Sequence, residues 1–466
     1  MIAVFGCLLI FLPGYVFAAD LNGVQLSVAW SIPFIGLLLS IAIMPMMMPR
    51  LWHHHFGKIA FGWSMFFLLP CAARFGVAQA LTSTAHTLFA EYIPFIILLS
   101  TLFVVAGGIC VRGNLHGSPE LNTGLLALGT FLASVMGTTG AAMLLVRPLI
   151  RANDNRQHVK HVMVFFIFLV ANAGGALTPL GDPPLFLGFL QGVDFFWTLK
   201  NLYGQTLFLC ASLLLMFYLL DRFYFHRREE QRPARLDPTP DSAVKIEGRI
   251  NFVLLLGVIL LVLMSGLWKT GIKFVFLGVE QELQNVLRDV GLLALLMLSL
   301  KITPAIARVG NEFTWGPIIE VAKLFAAIFI TIVPVISILK AGEMGAFSAV
   351  IRGVSDAQGQ PINGMYFWAS GLLSSFLDNA PTYLVFFNTA GGDPMALMNQ
   401  LPGTLAAISC GAVFMGAMSY IGNAPNMMVK AIAEQRGILM PSFFGYMAWS
   451  CCILLPLFAL MTLIFF

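Results

Sequence analysis

The stretch LTPLGDPPLFLGFL (177–190) is apolar at both ends, yet its centre holds Pro-Leu-Gly-Asp-Pro-Pro. Pro183 and Pro184 each remove an amide donor and restrict the residue before them. Gly181 permits backbone turns that other residues resist. A helix running through this stretch must open here. The fold turns on why an aspartate stands at such an opening.

The surrounding composition sets the solvent. The chain has 466 residues, of which 59% are hydrophobic and 10% charged. Soluble domains carry about 25% charged residues, so this is a polytopic membrane protein. Its apolar stretches suit helices rather than the alternating strands, about ten residues long, of outer-membrane barrels. The seven cysteines form no Cys-x-x-Cys, so no redox or metal centre and no cofactor is expected. Residues 1–19 end in Ala18-Ala19 and resemble a signal peptide without its basic start; an uncleaved first helix is the alternative.

Apolar spans occur at roughly 26–49, 57–77, 90–111, 122–150, 161–193, 203–225, 250–268, 288–304, 317–340, 363–390, 403–436 and 441–465, against about 20 residues for one crossing. Four are interrupted: at Gly137-Thr138-Thr139-Gly140, at Asp378-Asn379-Ala380-Pro381, at 177–184, and at 420–425. Basic residues gather at 50–58, 147–160, 222–249 and 430–436, which assigns those segments to the cytoplasm; the polar segment 388–400 has none and is assigned outside. These constraints give two re-entrant hairpins opening to opposite sides. The expected fold is therefore all-α and polytopic, with two inverted-topology repeats, 20–225 and 250–466, joined by a cytoplasmic linker at 226–249. Each repeat carries a re-entrant hairpin and a discontinuous helix, the construction of many secondary transporters.

Unwound backbone inside a bilayer is tolerated only where protein or water satisfies it. Asp182 before Pro183 fits a helix N-cap with proline at the first helical position, and Asn379 and Asn423 open similar starts. A serine or asparagine would cap without burying a carboxylate, which is expensive at this depth. Asp182 is therefore read as a carboxylate that holds either a proton or a cation, with Thr178 and freed carbonyls around it. Asp378 repeats the chemistry. Glu320 and Lys323, one turn apart, read as a structural pair. His53, His54, His55, His158 and His161 read as solvated loop positions.

The segments GTTGAAMLLVRPLIRAN (137–153), GGALTPLGDPPLFLGFLQGVDFF (174–196), NEFTWGPIIEVAKLF (311–325), DNAPTYLVFFN (378–388) and YIGNAPNMMVKAIAEQRGI (420–438) resemble those of NhaD-type sodium/proton antiporters. That family belongs to the ion-transporter superfamily, with arsenite permeases and citrate carriers. The resemblance spans about 30–465. It implies a scaffold and a moving transport domain, commonly a homodimer, in a bacterial inner membrane. It implies one cation site from Thr138, Thr139, Asn172, Thr178 and Asp182, and another from Asp378, Asn379, Thr382, Asn423 and Asn426. The transported ions would be Na⁺ or Li⁺ against H⁺; the partners are these ions and the lipid bilayer, not nucleic acid. Carboxylate carriers show Ser-Asn-Thr at both hairpin tips. This chain has Gly-Thr-Thr-Gly and Asp-Asn-Ala-Pro, which disfavours an organic anion. The alternatives are citrate, dicarboxylate or arsenite transport, a channel, and an intramembrane aspartyl protease, whose Gly-x-Gly-Asp signature Pro179 interrupts. An enzyme is not expected.

Overall fold

In the computed structural model the chain is mostly helical, and the structure describes residues 21–226, 242–276 and 279–466. The signal peptide expected at 1–19 and most of the 226–249 linker lie outside the described residues. In chain order the elements are α1 (Ile32–Met47), α2 (Pro49–Phe75), α3 (Val77–Thr87), α4 (Ile93–Ala106), β1 (Cys110–Asn114), α5 (Pro119–Met136), α6 (Thr138–Ala152), α7 (Lys160–Leu169), α8 (Pro183–Leu190), α9 (Trp197–Tyr224), β2 (Ser242–Glu247) and α10 (Ile250–Leu267). Then come β3 (Lys273–Phe276), β4 (Val279–Glu282), α11 (Leu283–Ile302), α12 (Ala305–Gly310), α13 (Gly316–Thr331), α14 (Val333–Lys340), α15 (Asn363–Phe376), α16 (Asn379–Thr389), α17 (Pro402–Met415), α18 (Ala424–Gln435) and α19 (Phe443–Phe465).

Seven of the described helical spans are long and apolar enough to cross a membrane. They differ in what surrounds them. The most apolar window of α2 is 22% buried, whereas that of Lys160–Leu177 is 89% buried. Large apolar side chains such as Leu69, Leu207 and Leu463 face outward on the former kind, as a hydrocarbon solvent requires. The latter is enclosed by protein, which is where an irregular backbone is tolerated.

The chain divides into two compact units, and each draws on both halves of the sequence. The first comprises Met1–Leu99, Leu260–Ala294 and Trp315–Ile351. In it α1 and α2 pack closely because Gly36 admits the Trp63 ring; a Cβ at Gly36 would come within 2.3 Å of it. Trp63 then donates to Ser40 Oγ at 3.0 Å. Phe95 stacks on Phe325 at 4.9 Å. Between α13 and α14 the axis bends by 41°, beside Pro334. Glu320 and Lys323 do not form the expected pair: Lys323 Nζ instead sits 5.4 Å from the Phe56 ring centre. His53, His54 and His55 lie in α2 rather than in a loop, with His54 Nδ1 2.9 Å from the Arg50 carbonyl.

The second unit comprises Ser100–Ile259, Leu295–Thr314 and Arg352–Phe466, and it contains all four breaks. Its tightest helix pair is α15 against α17, where Gly371 lies under Met415 and Gly411 under Ser370; a Cβ at either would come within 2.3 Å of a neighbour. The end of the linker is not loose chain: β2 pairs antiparallel with β1, Cys110 opposite Glu247. His161 is not solvated. It is buried, 2.7 Å from Asp221, which Arg156 also grips at 2.6 Å.

Candidate functional site

Each break is dictated locally. Helix α5 stops at Gly137, whose φ of +82° excludes most side chains, and α6 begins at Thr138. After α7, a 3₁₀ turn at Ala173–Leu177 leads to Thr178 in extended conformation, then to Asp182, the extended N-cap of α8. The second half repeats this. After α17, a 3₁₀ turn at Gly416–Met418 leads to Ser419 in extended conformation, then to Asn423, the extended N-cap of α18. Both breaks need glycine before the cap. A Cβ on Gly181 would stand 2.1 Å from the Gly175 carbonyl oxygen, and one on Gly422 2.6 Å from that of Gly416.

The hydroxyls at these breaks serve the backbone. Thr178 Oγ1 donates to the Ser134 carbonyl at 2.5 Å and accepts from Leu180 N–H. Ser419 Oγ donates to the Ser375 carbonyl and accepts from Ile421 N–H. Ser134 in turn donates to the Gly174 carbonyl. Neither Ser134, Ser375 nor Ser419 was among the expected site residues. The signal was the common spacing Thr178-x₃-Asp182 and Ser419-x₃-Asn423.

The site forms where these breaks meet. Asp182 is 1% exposed. Its carboxylate accepts from Thr138 Oγ1 at 3.0 Å, Asn423 Nδ2 at 3.1 Å and Asn379 Nδ2 at 2.5 Å. The Thr138 amide donates to the Gly181 carbonyl at 2.8 Å. Asn172 Nδ2 donates to Asn426 Oδ1 at 2.7 Å, and Asn426 Nδ2 to the carbonyls of Gly416 and Ser419. Asn423 Nδ2 also reaches Asn172 Oδ1 and the Ala171 carbonyl. Asn379 Oδ1 is buried without a partner.

The two expected residue sets are thus brought together differently from the sequence grouping. Thr138, Asn172 and Asp182 from one set and Asn379, Asn423 and Asn426 from the other share a single network. Thr178 makes no hydrogen bond to Asp182. Asp378 is half-buried and caps α16 through the Ala380 amide. Thr382 donates to the Asp378 carbonyl. Thr139 is half-buried and contributes no hydrogen bond to the network.

The first residues of α6 and α16 and the N-caps of α8 and α18 all belong to the network, so four helix N-termini converge on it. Their dipoles favour a negative charge. Every side chain that hydrogen-bonds Asp182 is neutral. The arrangement therefore provides a deeply buried acid, with the Asp378 carboxylate within electrostatic reach of it, together with amide oxygens and backbone carbonyls: hard oxygen donors that suit a proton or a small cation. Among the described residues no group of three or more His, Cys, Asp and Glu side chains assembles for a metal ion.

No curated protein matches the chain. A family model described as "Putative citrate transport" matches residues 23–466, nearly the whole length, with all the breaks and the Asp182 network inside it, and the chain belongs to that family.

Proposed function

We propose that the protein is a secondary active transporter that exchanges Na⁺, with Li⁺ as the second candidate ion, for H⁺ by alternating access. The observation that carries this reading is Asp182: fully buried, at the meeting of four helix N-termini, with only neutral donors on its carboxylate. One carboxylate that alternately holds a proton and a cation is the minimum device for exchange, because each displaces the other. Asn379 Oδ1, buried and unpartnered, supplies a further oxygen. In this reading 20–225 and 250–466 are inverted repeats, α5–α6 and α15–α16 are re-entrant hairpins, and the protein works as a homodimer in a bacterial inner membrane.

A second reading is uptake of citrate or a related organic anion. The family description favours it, and converging helix N-termini favour anions in general. Against it, citrate would bring up to three negative charges to a network that already holds Asp182 and to which no Arg or Lys donates.

Purified protein in liposomes with a trapped pH dye separates the two. Na⁺, Li⁺, K⁺ and citrate are added in turn, and labelled citrate uptake is measured in parallel. Proton movement on adding Na⁺ alone, abolished in Asp182→Asn, is the expected result. Citrate uptake with no proton movement on Na⁺ would replace the first reading with the second.

A further inference from the structure

The segment NEFTW (311–315) lies apart from the Asp182 network, and nothing in that network uses it. Glu312 nevertheless has an unusual backbone. Its φ is +50°, and it is the one non-glycine residue with positive φ among the described residues. Such strain persists only where its surroundings over-determine it. The surroundings are visible. Asn311 Nδ2 donates to the carbonyls of Gly107 and Ile109 at 3.0 and 2.6 Å. Phe313 packs on Phe103 at 5.3 Å and under the Arg308 guanidinium at 4.9 Å. The turn is braced on both sides of Glu312.

What it presents is a carboxylate gripped by two arginines. Arg147 Nη2 donates to Glu312 Oε2 at 3.2 Å, and Arg436 Nη2 to Oε1 at 2.6 Å. Arg147 is in the second half of α6 and Arg436 is the C-cap of α18. These helices pack on each other. Both begin in the network, at Thr138 and just after Asn423. At 1.5 Å per residue, Glu312 therefore grips them about 14 Å and about 20 Å from the site. Arg147 is 8% exposed, and its Nε and Nη1 are buried without partners, so its charge depends on Glu312. A guanidinium this buried is poorly tolerated unpaired.

We infer that Glu312 is a positioning residue: an ionic tie that fixes the far ends of α6 and α18 so that their first residues hold Thr138 and Asn423 on Asp182. It touches no transported species. Its backbone strain is the cost of aiming one carboxylate at two helices. The inference rests on reading the Asp182 network as the transport site.

The test uses full-length protein and backbone hydrogen exchange, which needs no knowledge of the transported ion. Glu312→Gln keeps the size and removes the charge. Arg436→Gln removes only the more exposed arm and leaves the buried Arg147 pair intact, so it folds even if Glu312→Gln does not. In Glu312→Gln, peptides covering 138–141 and 423–427 should exchange about tenfold faster, with the rest of the chain unchanged. Arg436→Gln should accelerate 423–427 alone, and Arg436→Lys should stay near the wild type. In liposomes the apparent KM for the transported ion should rise in both Gln variants more than the maximal rate falls. Unchanged exchange at 138–141 and 423–427, or acceleration spread evenly along the chain, overturns the tie. Failure of wild-type protein to move Na⁺ would strike the antiport reading alone, since the exchange result stands whatever ion is carried.

Discussion

At Asp182 three neutral donors meet one carboxylate, and no cation hydrogen-bonds it. A group so placed is either charged at a cost of several kcal/mol or protonated. Asp182→Asn keeps the size but turns an amide group toward donors, so it should cost about 1–3 kcal/mol of stability and still fold. Ion-driven proton movement in liposomes should fall at least about tenfold, because the titratable charge is gone; near-normal exchange by well-folded Asp182→Asn would remove Asp182 from the mechanism. Gly181 answers a different question. Its added Cβ meets the Gly175 carbonyl oxygen at 2.1 Å, and backbone cannot step aside as a side chain can. Gly181→Ala should therefore cost about 3 kcal/mol or more. Gly124→Ala in α5, where the space is open, should be neutral or slightly stabilising. Detergent melting curves of the two variants make the comparison. Asp182 and Asn423 were recognisable in sequence as N-cap positions before helices, whereas the start expected at Asn379 has Asp378 as its cap. Thr178 was not correctly placed, because a hydroxyl's partner depends on which carbonyl is left nearest.

Breaks and ties belong to the scale of elements. Thr178 and Ser419 hold equivalent breaks closed by one donated and one accepted hydrogen bond each. Thr178→Val and Ser419→Ala should each cost about 1–2 kcal/mol, roughly additively since they lie in different breaks. A double variant far milder than the sum, measured by melting, would mean that the breaks do not hold independently. Glu312 supplies the pH dependence. Partial burial opposes its charge, but the hydrogen bonds and charges of Arg147 and Arg436 prevail and hold its carboxyl below the ordinary value. A lowered folded value means stability present above the unfolded value and lost as pH falls through the folded one. The melting difference between wild type and Glu312→Gln should thus be flat from pH 6 to 8 and shrink below about pH 4. A difference that changes across pH 6 to 8 would implicate another group.

For the whole molecule, both compact units are assembled from both sequence halves, so neither half is a unit of packing. The inverted arrangement proposed for 20–225 and 250–466 makes a concrete claim about sides. Val244 in β2 and Met395, in the short helix Pro394–Asn399, are both exposed. In a background without the native cysteines, Val244→Cys should react with an impermeant thiol reagent only from the cytoplasmic side, and Met395→Cys only from outside. Labelling of both from one side would end the inverted reading.

Membrane class, the positions of all four breaks and the buried acid were legible in the chain alone, because each is a local property. Apolar length selects the solvent, proline removes donors, glycine opens the backbone, and an aspartate before two prolines takes the N-cap position of the helix they begin. Tertiary structure alone decided the company those residues keep. Asn379 and Asn423 reach Asp182 across 197 and 241 positions, merging two expected sites into one network. His161 went from an expected solvated loop to a buried partner of Asp221, and Glu312 became a partner of two helices. These outcomes hang on which helix packs against which. Composition and spacing constrain a segment's shape, but contacts between distant segments are chosen by the packing of whole surfaces, which no single stretch records.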